Sequence, residues 1–372
     1  MFDGFFLFYA LLALFNSVNA LRKPVTPGAG LPPLWLPALI VSELTTPVLV
    51  SRLAIGGLFV GFGAHESGPG RTALTILILS ILGLAPQYGR TARAIGHSTV
   101  GDGAKRQVDV EVTTDIPYDG GLTLDMYSLP SIGDPAPTML YFHGGSWTGG
   151  DPHRAGKVMF RTLANAGWKV ATVRYPLSPA ATFPDHVIAV KRAITWAKRA
   201  GAEYGIDPDR IVVAGGSAGA HLATLAGLTA GVPELQPGFE AEDTSVAAVV
   251  ALYGVFDFLN RNKTRWDWPV IPRDVMKALP SDAPDLYRLA SPLDHAHEAA
   301  PPVLVIHGSH DSLVPPAEAR HFVEALSRES RSHVEYLEVH GAQHGFDAFD
   351  TPRSRMVAAR VSTFLESALA TT

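Results

Sequence analysis

Five residues near the middle of the chain, Gly215-Gly216-Ser217-Ala218-Gly219, set a serine among small neighbours. They follow the β-rich run Ile211–Ala214 and open the helical pattern Ala218–Thr229. A serine lifted onto so sharp a strand-to-helix turn sits in strained backbone, which only small neighbours leave free of clashes. Its hydroxyl is then exposed for attack on a carbonyl carbon. The helix N-terminus behind it offers the Ala218 amide to the oxygen that turns negative. A phosphate-cradling glycine loop is the competing use of such a stretch. Neither G-x-G-x-x-G nor Gly-Lys-Ser/Thr is in register here.

Upstream, His143-Gly144-Gly145-Ser146-Trp147 follows the run Thr138–Phe142. Consecutive glycines let the backbone present the Gly144 and Gly145 amides to the same oxygen, with His143 organising the loop. An acid and a base are expected downstream, in that order. Asp311 follows the run Val303–His307, and His344 follows Val334–Val339. Asp311 would orient the imidazole of His344 and stabilise its charged form. Asp257 also follows a strand-like run, but a turn or helix cap explains it better. His340 and His344 lack a carboxylate to complete a metal site. This chemistry requires neither metal nor organic cofactor.

The positioning elements are short apolar runs (138–142, 170–175, 211–214, 247–253, 303–307) alternating with helical patterns (158–166, 187–200, 218–229, 317–327). That alternation predicts an α/β fold, a mostly parallel central sheet with helices on both faces. Sites in such sheets lie beyond the carboxyl ends of the strands, where all four motifs fall.

Charge divides the chain. Residues 1–104 hold ten charged side chains, about one in ten, and 105–372 hold the other 55, about one in five. We divide the chain there, near 96–106, into a hydrophobic N-terminal region and a catalytic domain. Phe5–Leu21 is uncharged and is closed by Arg22 and Lys23. Leu34–Ala64 suits one tilted span, or a kinked pair around Pro47. Ala73–Ala85 is shorter and could lie at the interface. Two to four membrane helices fit, three best. Val18-Asn19-Ala20 could end a signal peptide, but the start lacks a positive segment, so an anchor is favoured. Basic residues after the first and third runs (Arg22, Lys23; Arg90, Arg93, Lys105, Arg106) then place the catalytic domain in the cytoplasm. The absence of cysteine excludes disulfides and thiolate chemistry. A net charge of −5 with no long basic run argues against a nucleic-acid partner.

Residues 109–367 resemble the α/β-hydrolase fold, specifically the bacterial hormone-sensitive-lipase-like esterases. The resemblance rests on His143–Trp147, Tyr175–Pro179, Phe183-Pro184, Asp207–Arg210, the elbow at 215–219, His307–Pro315 and Gly341–Asp347. It implies a carboxylester hydrolase acting through an acyl-enzyme. Ser217 is its nucleophile, His344 its base and Asp311 its acid. Gly144, Gly145 and Ala218 form the oxyanion hole. There are departures. Ser146 stands where the family has a third glycine, and Pro176 and Ala180 replace the Arg and Glu of Tyr-Arg-Leu-Ala-Pro-Glu. The hydrophobic N-terminus is similar to that of membrane-associated actinobacterial esterases and lipases. His-Gly-Gly-x-Trp is also similar to kynurenine formamidases, which keeps amide hydrolysis or acyl transfer open. A non-catalytic receptor is disfavoured, because the whole triad is present. The segment between Tyr253 and Val303 is expected to shape a lid. Its Phe256, Phe258, Trp266 and Trp268, with Trp147, would form an apolar acyl site. The implied partners are a small-molecule or lipid ester and the bilayer.

Overall fold

The computed structural model describes residues 2–25, 33–96, 110–130 and 135–370. The expected boundary at 104/105, with Lys105 and Arg106, lies outside the described residues.

The N-terminal region is helical: α1 (Phe2–Leu21), α2 (Trp35–Glu43), α3 (Thr45–Gly61), α4 (Gly68–Leu82) and α5 (Ala85–Gly96). Two stretches, Phe2–Leu21 and Gly68–Gly96, are long and apolar enough to cross a membrane. The pair α2 and α3 would count as a third, but it bends by 92°. The bend falls at Leu44 rather than at Pro47. Pro47 sits in the first turn of α3, where an absent N–H costs no helical hydrogen bond. The third run, short enough alone to lie at the interface, is lengthened by α5 into the stretch Gly68–Gly96.

The bundle formed by α1, α3 and α4 is small inside. Ala10, Ala13, Ala73 and Ser17 are buried between its helices, while Phe6 stacks on Phe59 at 4.1 Å. Helices α1 and α3 run antiparallel, since Phe2 meets Phe62 at one end and Ser17 meets Arg52 nearer the other. Arg52 is buried there. Its Nη1 donates to Ser17 Oγ (2.6 Å) and Ser80 O (2.7 Å), and its Nη2 to Ala13 O (3.0 Å). A guanidinium away from water needs such partners. Helix α2 turns away and packs Leu39 into the core of the second half of the chain.

That half is an eight-stranded sheet: β1 (Glu111–Asp119), β2 (Leu122–Ser128), β3 (Ala136–Phe142), β4 (Lys169–Val173), β5 (Ile206–Gly216), β6 (Ala248–Leu252), β7 (Val303–Gly308) and β8 (Val334–Val339). Their order is β1-β2-β4-β3-β5-β6-β7-β8, antiparallel at β1–β2 and β2–β4 and parallel elsewhere. The helices are α6 (Lys157–Asn165), α7 (Asp185–Arg199), α8 (Ala218–Leu228), α9 (Pro284–Leu289), α10 (Ala317–Glu329) and α11 (Pro352–Ala370). Every residue of β4, β6 and β7 is buried, as strands covered on both faces must be. One core lies against α7, α8 and α10 and the other against α6 and α11. The expected α/β fold is present. The β1–β2 hairpin adds an antiparallel edge.

Candidate active site

Ser217 joins β5 to α8 with φ 56° and ψ −119°. That is a costly backbone for a residue with a Cβ, roughly 1–3 kcal/mol. Its amide donates to Leu252 O of β6 at 2.9 Å, which ties the turn to the sheet. The first helical bond of α8 runs from His221 N to Ser217 O at 3.1 Å. The Ala218 amide precedes that bond, among the donors a helix leaves open at its start.

His344 Nε2 lies 2.9 Å from Ser217 Oγ, and His344 Nδ1 lies 2.7 Å from Asp311 Oδ2. A carboxylate only accepts, so Nδ1 carries the proton and Nε2 is free to take the serine's. Asp311 is fully enclosed. Its Oδ1 accepts from the amides of Leu313 (2.9 Å) and Val314 (2.8 Å). Burial alone would raise its pKa. The charge of His344 and the bonds from His307 and His344 outweigh burial and hold it at about 2.

Three contacts to this trio were not anticipated. His307 Nε2 donates to Val314 O (2.8 Å) and lies 3.2 Å from Asp311 Oδ2. Tyr253 sets its ring edge against His344, centroids 4.7 Å apart, and donates its hydroxyl to Asp347 Oδ1. Trp35 Nε1 of α2 donates to the backbone oxygen of His344 at 2.8 Å. His307, four residues before Asp311, carried a weak signal; Trp35, in an apolar run, carried none.

The loop after β3 closes on the elbow. A Cβ on Gly144 would lie 3.1 Å from that of Ser217, so their backbones nearly touch. Gly145 has φ +133°, and a Cβ there would lie 2.0 Å from Gly149 O. Only glycine fits. Ser146 and Trp147 also take positive φ, 55° and 61°, so the loop turns without a third glycine. His143 stacks on Tyr175 at 4.6 Å, and Tyr175 donates its hydroxyl to His143 O at 2.8 Å. The His143 ring donates from Nδ1 to Gly144 O (2.8 Å), and burial lowers its pKa. Asp257 accepts from the amides of Leu259 and Arg261 and pairs with the Arg261 side chain, a local cap away from the triad.

Ser217 opens into a cavity of about 390 Å³. Trp147, Val255, Trp268, Pro269, Val270 and Leu313 form its apolar wall, and Ser146 and Arg273 add polar atoms. Two of the five expected aromatics, Trp147 and Trp268, line it. Three do not. Phe256 is stacked on Phe322 of α10 at 4.3 Å, and Phe258 on His221 at 4.4 Å. Trp266 is half-buried, with its indole nitrogen enclosed and unpartnered among the described residues. Packing the 253–303 segment onto the core took the two phenylalanines. Trp147 itself is pinned, donating from Nε1 to His221 Nδ1 at 3.2 Å. His221 donates from Nε2 to Ala290 O (2.7 Å), and burial lowers its pKa to about 3, so it stays neutral.

Comparison with known proteins identifies the family and the fold. The BD-FAE family profile matches residues 124–326. Esterase LipQ of Mycobacterium tuberculosis is 44% identical over 68% of this chain and 62% of its own length. The probable carboxylic ester hydrolase LipM of the same organism is 33% identical, covering 95% of this chain and 91% of its own. Among solved structures, the truncated form of a carbohydrate esterase from gut microbiota superposes with a TM-score of 0.61. That match covers 71% of this chain and 99% of that one at 24% identity, and it shows the shared fold.

Proposed function

The chain belongs to the BD-FAE family, and with it to the carboxylic ester hydrolases of α/β-hydrolase fold; from that premise we propose a membrane-anchored serine esterase or lipase for lipophilic acyl esters. The observation that carries the reading is the unbroken run Ser217 Oγ–His344–Asp311 at the floor of an apolar cavity.

Ser217 attacks the ester carbonyl as His344 Nε2 takes its proton. The carbonyl oxygen becomes an oxyanion facing the amides of Gly144, Gly145 and Ala218. Asp311 stays ionised and stabilises the imidazolium. His344 then gives the proton to the leaving alcohol, and the acyl group remains on Ser217. Water, deprotonated by His344, releases the acid and restores the serine. The wall from Val255 to Val270 shelters the acyl chain, and Arg273 is the cation at its edge.

Residues 1–104 form the anchor and 105–372 the catalytic domain. We assign α1, α3 and α4 with α5 as three crossing segments, with α2 lying against the catalytic domain. Three crossings and the basic Arg22 and Lys23 after α1 put that domain on the cytoplasmic side.

The test is hydrolysis of p-nitrophenyl esters from acetate to palmitate by the detergent-purified chain, beside Ser217→Ala. Serine-dependent turnover with a chain-length optimum is expected. A folded protein that labels with a fluorophosphonate yet spares every ester would shift the assignment to amide hydrolysis or acyl transfer. One that neither turns over nor labels would end it.

A further inference from the structure

The N-terminal region reaches the base of the triad through one side chain. Trp35 donates its indole N–H to the carbonyl of His344 itself, 2.8 Å away, and sets its ring edge-on to the imidazole at 6.3 Å. Trp35 does not line the cavity beside Ser217, so this contact is made to the catalytic loop and not to an acyl chain.

Helix α2 is fixed at both ends. Before it, Asn19 of α1 donates to Leu34 O and accepts from Leu34 N, both at 2.8 Å, which sets the peptide that enters Trp35. After it, Glu43 pairs with Arg353 of α11 at 3.0 Å, both side chains buried, and Arg353 also donates to Ser42 O at 2.9 Å. Between the ends, Leu39 joins the same core as Tyr253 and Phe346, which flank His344. Helix α5 presses on the loop as well: a Cβ on Gly341 would lie 2.8 Å from that of Arg90. A helix held this firmly transmits its position to whatever its side chains grip.

We propose that Trp35 is a positioning residue for His344, so that full turnover requires the N-terminal helices docked on the catalytic domain. This rests on His344 being the base. Attack by Ser217 depends on Nε2 holding its place to a fraction of an ångström, and small misplacements of a reacting group are costly in rate. The anchor is thereby part of the working enzyme.

The full chain in detergent tests this with Trp35→Phe, which keeps an aromatic ring and removes the donor. Fluorophosphonate titration counts competent serines, and p-nitrophenyl butyrate gives kcat per titrated site and KM. The expected result is a fall of about 3- to 10-fold in kcat per site with KM unchanged, the loss of one hydrogen bond to the base's loop. A purely structural role would lower the number of titrated sites and leave kcat per site intact, which overturns the proposal. A change in KM alone, marking a substrate contact, also overturns it. Should Trp35→Phe fail to fold, Asn19→Ala decides. It loosens the entry to Trp35 and is expected to lower kcat per site by about 2-fold; an unchanged value overturns the proposal. Wild type that neither titrates nor turns over overturns both this inference and the triad reading, whereas an active wild type with unaffected variants overturns this inference alone.

Discussion

The catalytic domain buries its large phenylalanines, whereas the N-terminal helices turn most of theirs outward. In the catalytic domain Phe142, Phe160, Phe256, Phe322 and Phe346 are completely buried. In the helices Phe5, Phe8 and Phe62 are 71%, 66% and 65% exposed, and beside Phe6, Phe59 and Leu77 the interior is mostly alanine, glycine and serine. The first arrangement follows from water, which drives large apolar groups together. The second suits hydrocarbon, where burying a large ring gains nothing and close backbone approach gains dispersion contacts and hydrogen bonds. One chain thus carries two packing patterns, and α2, between α1 and α3 in sequence, packs Leu39 with the second half.

The contrast can be broken or sharpened at chosen residues. Ser217→Ala is expected to lower kcat by ~10⁴–10⁶-fold while membrane retention and thermal unfolding stay as in wild type. Residual serine-independent turnover would remove Ser217 from the mechanism. Phe322→Ala opens the catalytic core beside Phe256 and should cost about 3–5 kcal/mol in denaturant unfolding. Phe8→Ala, the same change on the exposed face of α1, should leave that unfolding within error. Equal costs would mean that both halves face water. Gly145→Ala forces a Cβ against Gly149 O and should reduce kcat by ~10²–10³-fold, the loss of one oxyanion donor. Phe8→Asp should weaken insertion by about 2.5–3.5 kcal/mol, seen as protein released by alkaline extraction of membranes. Extraction equal to that of wild type would mean that Phe8 contributes nothing to retention.

The smallest effect concerns acid. Asp311 is held at about 2 against an ordinary 3.8, so the folded state favours its ionised form. Its contribution, about 2 kcal/mol, is complete above pH 3.8 and disappears as pH falls through 2. Stability measured from pH 5 to 2 should therefore fall more steeply in wild type than in Asp311→Asn. Parallel curves would mean that the carboxylate is not favoured by the fold.

The three side chains that meet at Ser217, His344 and Asp311 were legible because each sits just after a strand, where strand, turn and small residues leave a local signature. The oxyanion loop was legible for the same reason. The β1–β2 hairpin was not, since its outer strand is mostly exposed and shows no apolar run. Aromatic content pointed to the 253–303 segment but could not say which rings face the cavity. Phe256 and Phe258 are separated by one residue, and both turn inward because Phe322 and His221 offer flat partners there. Trp35 was illegible because its partner, the carbonyl of His344, is 309 residues away and belongs to no motif.

Arg52 bears on how the chain is made. Its three acceptors lie on α1 and α4, so α3 alone would carry an unsolvated guanidinium into hydrocarbon. Synthesis delivers α1 first, with Ala13 O and Ser17 Oγ ready to receive the charge, and α4 with Ser80 O only after α3 has emerged. Were these helices to enter a bilayer, they would enter as one unit of three, the charge on Arg52 being met only when α1 and α4 are both in place.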